Sequence, residues 1–248
     1  MDESVRQAVA RAIIAMHENL GDHLTIDDLA RSAMFSKFHF TRIFQRTTGL
    51  SPGRFLAALR LAEAKRLLVT TRFSVADIGH QVGYNSVGTF SARFSGSVGV
   101  APTRYRQLRG RPDQIRERSG EPGSGSVVRG QLSCPPGTDF GPVFVGLFPA
   151  RILEGFPARY QILPAPEPFL LSDVPTGCWH VIVHTFGTTR HDGVQRAYTG
   201  ISGPLSARPG LTGGIADVHV HVRHRFDPPP LLALPDLREL PVRRAIAV

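Results

Sequence analysis

Through roughly the first hundred residues apolar positions recur three or four apart, the spacing of amphipathic helices. Val5, Val9, Ala12, Ile13 and Met16 predict one face of a first helix. Phe55, Leu56, Leu59, Ala62 and Leu67 predict one face of a longer helix from Pro52 to about Val69. Beyond Pro142 the period falls to two, and Val143–Phe148, Trp179–His184 and Val218–Val222 predict short strands separated by Gly and Pro. Between these halves, Gly110-Arg-Pro and Ser119-Gly-Glu-Pro-Gly-Ser-Gly-Ser126 carry no apolar anchor and predict a flexible connector. The expected fold is therefore multidomain, α and β: an all-α module at 1–109, a linker at 110–140 and an all-β sandwich at 141–248.

The helical half repeats itself once. Leu24-Thr-Ile-Asp-Asp-Leu-Ala30 aligns with Phe73-Ser-Val-Ala-Asp-Ile-Gly79 at an offset of 49, and Phe40-Thr-Arg-Ile-Phe44 aligns with Phe90-Ser-Ala-Arg-Phe94 at 50. Gly49-Leu-Ser-Pro-Gly-Arg-Phe55 matches Gly99-Val-Ala-Pro-Thr-Arg-Tyr105 in the same way. Each copy reads as a helix, a tight turn and a second helix, at about 25–46 and 74–95, with the helix at about 52–69 as a spacer. Thr25 and Ser74 are expected N-caps, with Asp28 and Asp77 three residues on. Leu29, Ala33, Ile78 and Val82 then face inward. The turns fall at Met34-Phe35-Ser36 and Gly83-Tyr84-Asn85, where Gly83 suits a left-handed position and Ser36 or Asn85 caps the next helix. In the first copy that helix buries Phe40, Ile43 and Phe44 and turns Phe38, Thr41, Arg42, Gln45 and Arg46 outward. A basic, polar face opposite an apolar anchor is what a helix entering a DNA major groove requires.

Charge strengthens that picture. The chain of 248 residues carries a formal net charge of +9, and residues 36–110 alone hold twelve Lys and Arg against Glu63 and Asp77. Such local excess favours a polyanionic partner. A non-specific architectural DNA binder stays open as an alternative, because arginine-rich helices bind phosphate without reading bases. Hydrophobic residues at 42% and charged residues at 20% exclude a wholly disordered chain. Two cysteines, Cys134 and Cys178, exclude a disulfide scaffold and a cysteine-rich zinc site. No apolar run approaches the roughly eighteen residues of a membrane span, so a cytoplasmic protein without a membrane partner is expected. Neither a Gly-x-Ser-x-Gly elbow nor a Walker loop, HExxH or dinucleotide fingerprint is present, so no enzyme, catalytic residue, cofactor or resident metal is expected.

Taken in order, Leu24-Thr-Ile-Asp-Asp-Leu-Ala, Ser36-Lys-Phe-His-Phe-Thr-Arg-Ile-Phe, Thr48-Gly-Leu-Ser-Pro, Arg60-Leu-Ala-Glu-Ala-Lys-Arg-Leu-Leu and Ser74-Val-Ala-Asp-Ile-Gly-His-Gln-Val-Gly-Tyr, followed by Phe90, Phe94, Gly99, Pro102 and Tyr105-Arg106, form a specific pattern. Residues 10 to 108, about 40% of the chain, resemble the DNA-binding region of AraC/XylS-type transcription regulators. The resemblance implies about seven helices in a double helix-turn-helix. It also implies binding to double-stranded promoter DNA in a bacterial cytoplasm, and commonly activation through contact with RNA polymerase. Two recognition helices held by the spacer would enter successive major-groove faces roughly 34 Å apart.

The expected DNA-binding residues of the first copy are Lys37, Phe38, Thr41, Arg42, Gln45 and Arg46. Arg42 suits a bidentate grip on guanine, with a phosphate contact as the alternative; Phe38 reaches a thymine methyl or packs at the turn; Arg46 suits phosphate. In the second copy the matching set is Ser86, Val87, Gly88, Thr89, Ser91, Ala92 and Arg93. Val87, Gly88 and Ala92 stand where the family usually places a polar pair and an arginine, so this helix is expected mainly to position the protein. Arg54, Arg104 and Arg106 are either backbone anchors or solvated charge, and His39 and His80 packing or surface residues.

In the C-terminal half, Phe169-Leu-Leu-Ser-Asp-Val-Pro-Thr-Gly-Cys-Trp179 with the strand at 180–186 resembles transthyretin-like or carboxypeptidase-regulatory-like β-sandwiches. That resemblance implies about seven strands used for sensing a small-molecule effector, for self-association or for support. Alternation places His219 and His221 on one strand face with Val218, Val220 and Val222 on the inner one. With His180 or His184 they keep a metal-sensing regulator open as a further alternative. The operator, the effector, the sign of regulation and the oligomeric state are not set by these residues.

Overall fold

Side chains that tie off backbone groups set where the helices begin. In the computed structural model, which describes residues 3–118, 126–208 and 214–238, Thr25 and Ser74 each form a full capping box. The Thr25 and Ser74 hydroxyls accept from the Asp28 and Asp77 amides, and those carboxylates accept from the cap amides in return. These boxes open α2 (Ile26–Ser32) and α5 (Val75–Gln81), following α1 (Glu3–Glu18). The second helices are α3 (Lys37–Thr48) and α6 (Val87–Val98), with α4 (Pro52–Thr70) between the copies and α7 (Pro102–Gln107) after them. Pro52 and Pro102 sit in the first turns of α4 and α7, where a missing amide costs nothing. Left-handed Gly49 and Gly99 end α3 and α6. The cap of α6 is Ser86, whose hydroxyl accepts from Thr89 N, rather than Asn85 as expected. Ser36 precedes α3 without a side-chain cap bond.

The repeat is carried into the core. Phe40, Phe44 and Phe55 form a chain of rings 5.5 and 5.4 Å apart, and Phe90, Phe94 and Tyr105 form its counterpart at 5.7 and 5.6 Å. Burial pushes the Tyr105 phenol up to about 12. On α1, Ala8, Val9, Ala12, Ile13 and Met16 are buried, while Val5 is only half-buried at the frayed start. The expected single stripe on α4 is corrected. Ala58, Leu61, Ala64 and Leu68 are buried besides Phe55, Leu56, Leu59 and Leu67, and Ala62 is half-buried. The cause is that α4 packs against α1, α3, α5 and α7, so apolar residues are needed on most of its circumference.

One polar side chain on α4 joins the two copies. Arg60 donates to Leu20 O at 2.9 Å and Asp22 O at 2.7 Å, ahead of α2, and to Gly83 O at 3.4 Å in the turn between α5 and α6. Gly83 has φ 83°, and a Cβ there would stand 2.8 Å from the Arg60 guanidinium and from Leu20 O. At the matching turn of the first copy Met34 takes φ 60°.

Two short segments from the C-terminal half, Leu153–Gly155 and His224–Ala233, belong to the helical unit. Gly155 N donates to Ser97 O and Ala233 N to Val98 O, while the Lys65 ammonium donates to Pro230 O and Leu231 O. Leu231 and Leu232 amides both donate to Leu153 O, and all three leucines are buried.

The second unit is built from β1 (Ser126–Ser133), β2 (Thr138–Phe148), β3 (Tyr160–Leu163), β4 (Phe169–Val174), β5 (Gly177–Thr189), β6 (Gln195–Ala207), β7 (Ile215–His219) and β8 (His221–Val222). They form a three-stranded sheet in the order β4-β1-β7 and a five-stranded sheet in the order β3-β2-β5-β6-β8. The β1–β7 pair is parallel and the others antiparallel. Val128, Val145, Leu171, Trp179, Tyr198 and Val218, drawn from both sheets, share one apolar core.

Two expectations are corrected in this unit. The stretch read as linker holds β1 and the start of β2, and Ile115 is buried, with its carbonyl accepting from the Tyr160 hydroxyl. Part of the Gly- and Ser-rich run, 119–125, lies outside the described residues. Val128 and Leu132 on the inward face, with Val127 beside them, are too few to outweigh the surrounding Gly, Ser and Pro in a reading by composition. The strand expected over 218–222 breaks at Val220: β7 pairs with β1 and β8 with β6, so His219 and His221 are on different sheets and Val222 is exposed. The expected strand-turn-strand at Phe169–Trp179 is present as β4 and the start of β5, and the chain crosses between sheets at its turn, because β4 pairs with β1 and β5 with β2.

Two outcomes follow. Arg60→Met, which leaves three carbonyls without their charged donor, should lower unfolding stability by about 2–3 kcal/mol in urea titrations, and Gly83→Ala should cost about as much through strain and collision. Hydrogen bonds from Thr25 and Ser74 hold the Asp28 and Asp77 carboxyls below their ordinary 3.8. Their contribution is thus complete above that value and lost as pH falls through the lowered folded values. Calorimetric melts should show an acid loss of helical-unit stability that shrinks in the Asp28→Asn, Asp77→Asn double variant.

Candidate nucleic-acid interface

The outward face of α3 follows from its anchor. Phe40, Ile43 and Phe44 are buried, so helical geometry turns Phe38, Arg42, Gln45 and Arg46 to solvent. Phe38 is 88% exposed, a large cost in water for an aromatic ring that touches no core. Arg42, Gln45 and Arg46 make no hydrogen bond or ion pair among the described residues. Two members of the expected set are tied down. Thr41 is half-buried, its hydroxyl donating to Lys37 O at 2.8 Å, and the Lys37 ammonium pairs with Asp27 at 3.1 Å. Asp27, on α2, was not singled out from the sequence; only the fold brings it to Lys37.

On α6 the same geometry exposes Val87, Gly88, Thr89, Ala92 and Arg93, with Ser91 half-buried. Ser86 is engaged twice, by the Thr89 amide and by donating to the Thr89 hydroxyl at 2.9 Å. Aligned on their buried rings, Lys37, Phe38, Arg42 and Arg46 correspond to Val87, Gly88, Ala92 and Gly96. The two copies thus share a core and differ on the outward face. Gly88 and Gly96 have open space where a Cβ would stand, so packing within the protein does not require them.

The remaining basic residues divide by what they hold. Arg106 donates to Leu68 O at 3.0 Å and Phe73 O at 2.5 Å, closing α7 onto the end of α4 and the loop after it. Arg54 forms an ion pair with Glu154. Among the described residues the Arg104 side chain reaches only Gln107, at 3.5 Å. Arg60 was missed as a functional element of the frame; its signal was an arginine flanked on α4 by Leu56, Ala57, Ala58, Leu59, Leu61 and Ala62. His39 packs its ring 4.8 Å from Phe35.

A pair of helix-turn-helix units with one strongly basic and one nearly neutral outward helix defines a DNA-binding protein of the double helix-turn-helix class. Residues 29–108 match the family model described as a helix-turn-helix domain. The transcriptional activator AarP of Providencia stuartii is 30% identical over 98 residues, 40% of this chain and 73% of that protein. The lactose operon transcription activator of Staphylococcus xylosus is 29% identical over 102 residues, 41% of this chain and 37% of that protein, so the chain spans well under half of this longer relative. An AraC-type regulator structure from Chromobacterium violaceum is similar at 27% identity and TM-score 0.42, covering 45% of this chain and 99% of that one. The chain belongs to the AraC-type helix-turn-helix family, and it is a DNA-binding transcription regulator. The architectural and metal-sensing alternatives are not favoured; among the described residues, no helix is long and apolar enough to cross a membrane.

Since Arg106 holds backbone carbonyls, Arg106→Gln should lower the melting temperature, with a loss of about 1–3 kcal/mol. The slope of DNA affinity against salt should stay unchanged in the same variant, because no phosphate contact is removed.

Proposed function

We propose that α3 reads bases in the major groove of a promoter duplex while α6 chiefly sets position on the sugar-phosphate backbone. The observation that carries this is the contrast between the two outward faces: the Arg42, Gln45 and Arg46 side chains stand unengaged on α3, whereas the matching α6 positions hold Ala92, Ser95 and Gly96. A guanidinium fork matches the O6 and N7 acceptors of guanine, which gives Arg42 base readout. Phe38 supplies an apolar surface for a thymine methyl, and Gln45 a second polar edge. Arg46 and Lys37 supply phosphate contacts, Lys37 after leaving Asp27. On α6 the Gly88 and Gly96 surface lets the helix backbone approach the groove wall closely, with Thr89, Ser91 and Arg93 reaching phosphate. Thr41 and Ser86 hold their own helices rather than bases.

The rest of the reading follows the family. The protein acts in the cytoplasm, binds a site spanning adjacent major-groove faces and regulates transcription through RNA polymerase. The β unit, a two-sheet sandwich in this reading, serves sensing or self-association.

The test is selection of genomic fragments by the full-length protein at about 150 mM salt, near physiological ionic strength. The expected product is a motif sharply defined beneath α3 and weakly defined beneath α6. Arg42→Ala should cost about 1–3 kcal/mol on the selected site and relax one base position. Equal loss on selected and random duplexes would reassign Arg42 to phosphate, and a motif equally sharp in both halves would overturn the division of labour.

A further inference from the structure

A cavity of about 660 Å³ opens between α4 and α6, and every residue lining it belongs to the helical unit. Its walls are of two kinds. Ala57 and the edges of the buried Leu56, Leu61 and Leu231 line an apolar part, while Arg54, Arg60 and Arg93 face it with only Glu154 as a countercharge.

The three guanidiniums are not equivalent. Arg54 is paired with Glu154, and Arg60 is engaged by the carbonyls of Leu20, Asp22 and Gly83. Arg93 makes no hydrogen bond or ion pair among the described residues, so its fork is free. Two hydroxyls complete the polar side: Thr89, which accepts from Ser86 and keeps its own proton to donate, and Tyr84, whose partly buried phenol stays protonated.

We propose that this cavity binds a small organic acid, its carboxylate on the Arg93 fork and its apolar body over Ala57 and the exposed edge of Leu56. A planar, always-charged guanidinium is the side chain best matched to a carboxylate. The volume lies within the roughly 300–1,000 Å³ of small-molecule sites, and the apolar wall has no use for a bare phosphate. An acid seated there engages Arg93 and Thr89, two α6 groups assigned above to DNA. That consequence rests on the DNA reading; binding of the acid does not, and its test contains no DNA.

Fluorine NMR on the full-length protein follows para-trifluoromethylbenzoate and its neutral amide, with inorganic phosphate as competitor. The acid should bind with a dissociation constant of about 1 mM or below and the amide about tenfold more weakly. Arg93→Gln should weaken the acid about tenfold and leave the amide unchanged, closing the gap between them. Ala57→Gln, at an exposed α4 position lining the cavity, keeps a good helix former and should block both probes. Circular dichroism melts establish that both variants are folded. The proposal is overturned by absence of acid binding, by equal binding of acid and amide, by phosphate displacing the acid at comparable concentration, or by either variant leaving acid binding intact.

Discussion

The helical unit depends on one constraint: a single helix, α4, apolar over most of its circumference, must be the shared wall of two helix-turn-helix copies, and one charged side chain on it must satisfy backbone groups in both. Arg60 meets that constraint by reaching Leu20 and Asp22 on one side and Gly83 on the other. Carbonyls in turns have no helical partner, and leaving them dry and unpaired is costly. A guanidinium, with five donors in a rigid plane, can serve three of them at once. The apolar girth of α4 and the left-handed Gly83 are consequences of the same arrangement, since the helix must pack on several neighbours and the turn must pass close to the arginine.

Within that frame, the two copies have been shaped by different demands. The ring chains Phe40-Phe44-Phe55 and Phe90-Phe94-Tyr105 nearly superpose in spacing because close packing leaves little choice of volume or direction. The outward faces carry no such restriction, and there Lys37, Phe38, Arg42 and Arg46 give way to Val87, Gly88, Ala92 and Gly96. Gly88 in the first turn and Gly96 in the last turn of α6 are poorer helix formers than alanine, and no neighbour within the protein asks for them. A surface that gives up stability in this way is shaped by what approaches it, which is why the asymmetry carries the functional reading and not the shared core.

In the second unit, continuity of sequence and continuity of sheet part company. The chain crosses from one sheet to the other both at the β4–β5 turn and inside the β7–β8 run, which a period of two reads as one strand. The break at Val220 separates His219 from His221, which removes the face on which a metal pair was expected. A two-residue period specifies which side of a strand is inward but not which neighbour it pairs with.

The repeat, the caps at Thr25 and Ser74, the inward rings, the basic outward face of α3 and the depleted face of α6 are legible in residue order alone. These are local properties, set by residue spacing along a helix and by hydrogen bonds three residues apart. Folding in three dimensions decides that Arg60 joins the copies, that Arg54 pairs with Glu154 a hundred residues away, and that Arg106 holds carbonyls. It likewise decides that Leu153–Gly155 and His224–Ala233 complete the helical unit. Each of those is a contact between residues far apart in the chain, where a charged or apolar side chain has many physically adequate partners. Which one it meets depends on packing that no local period records.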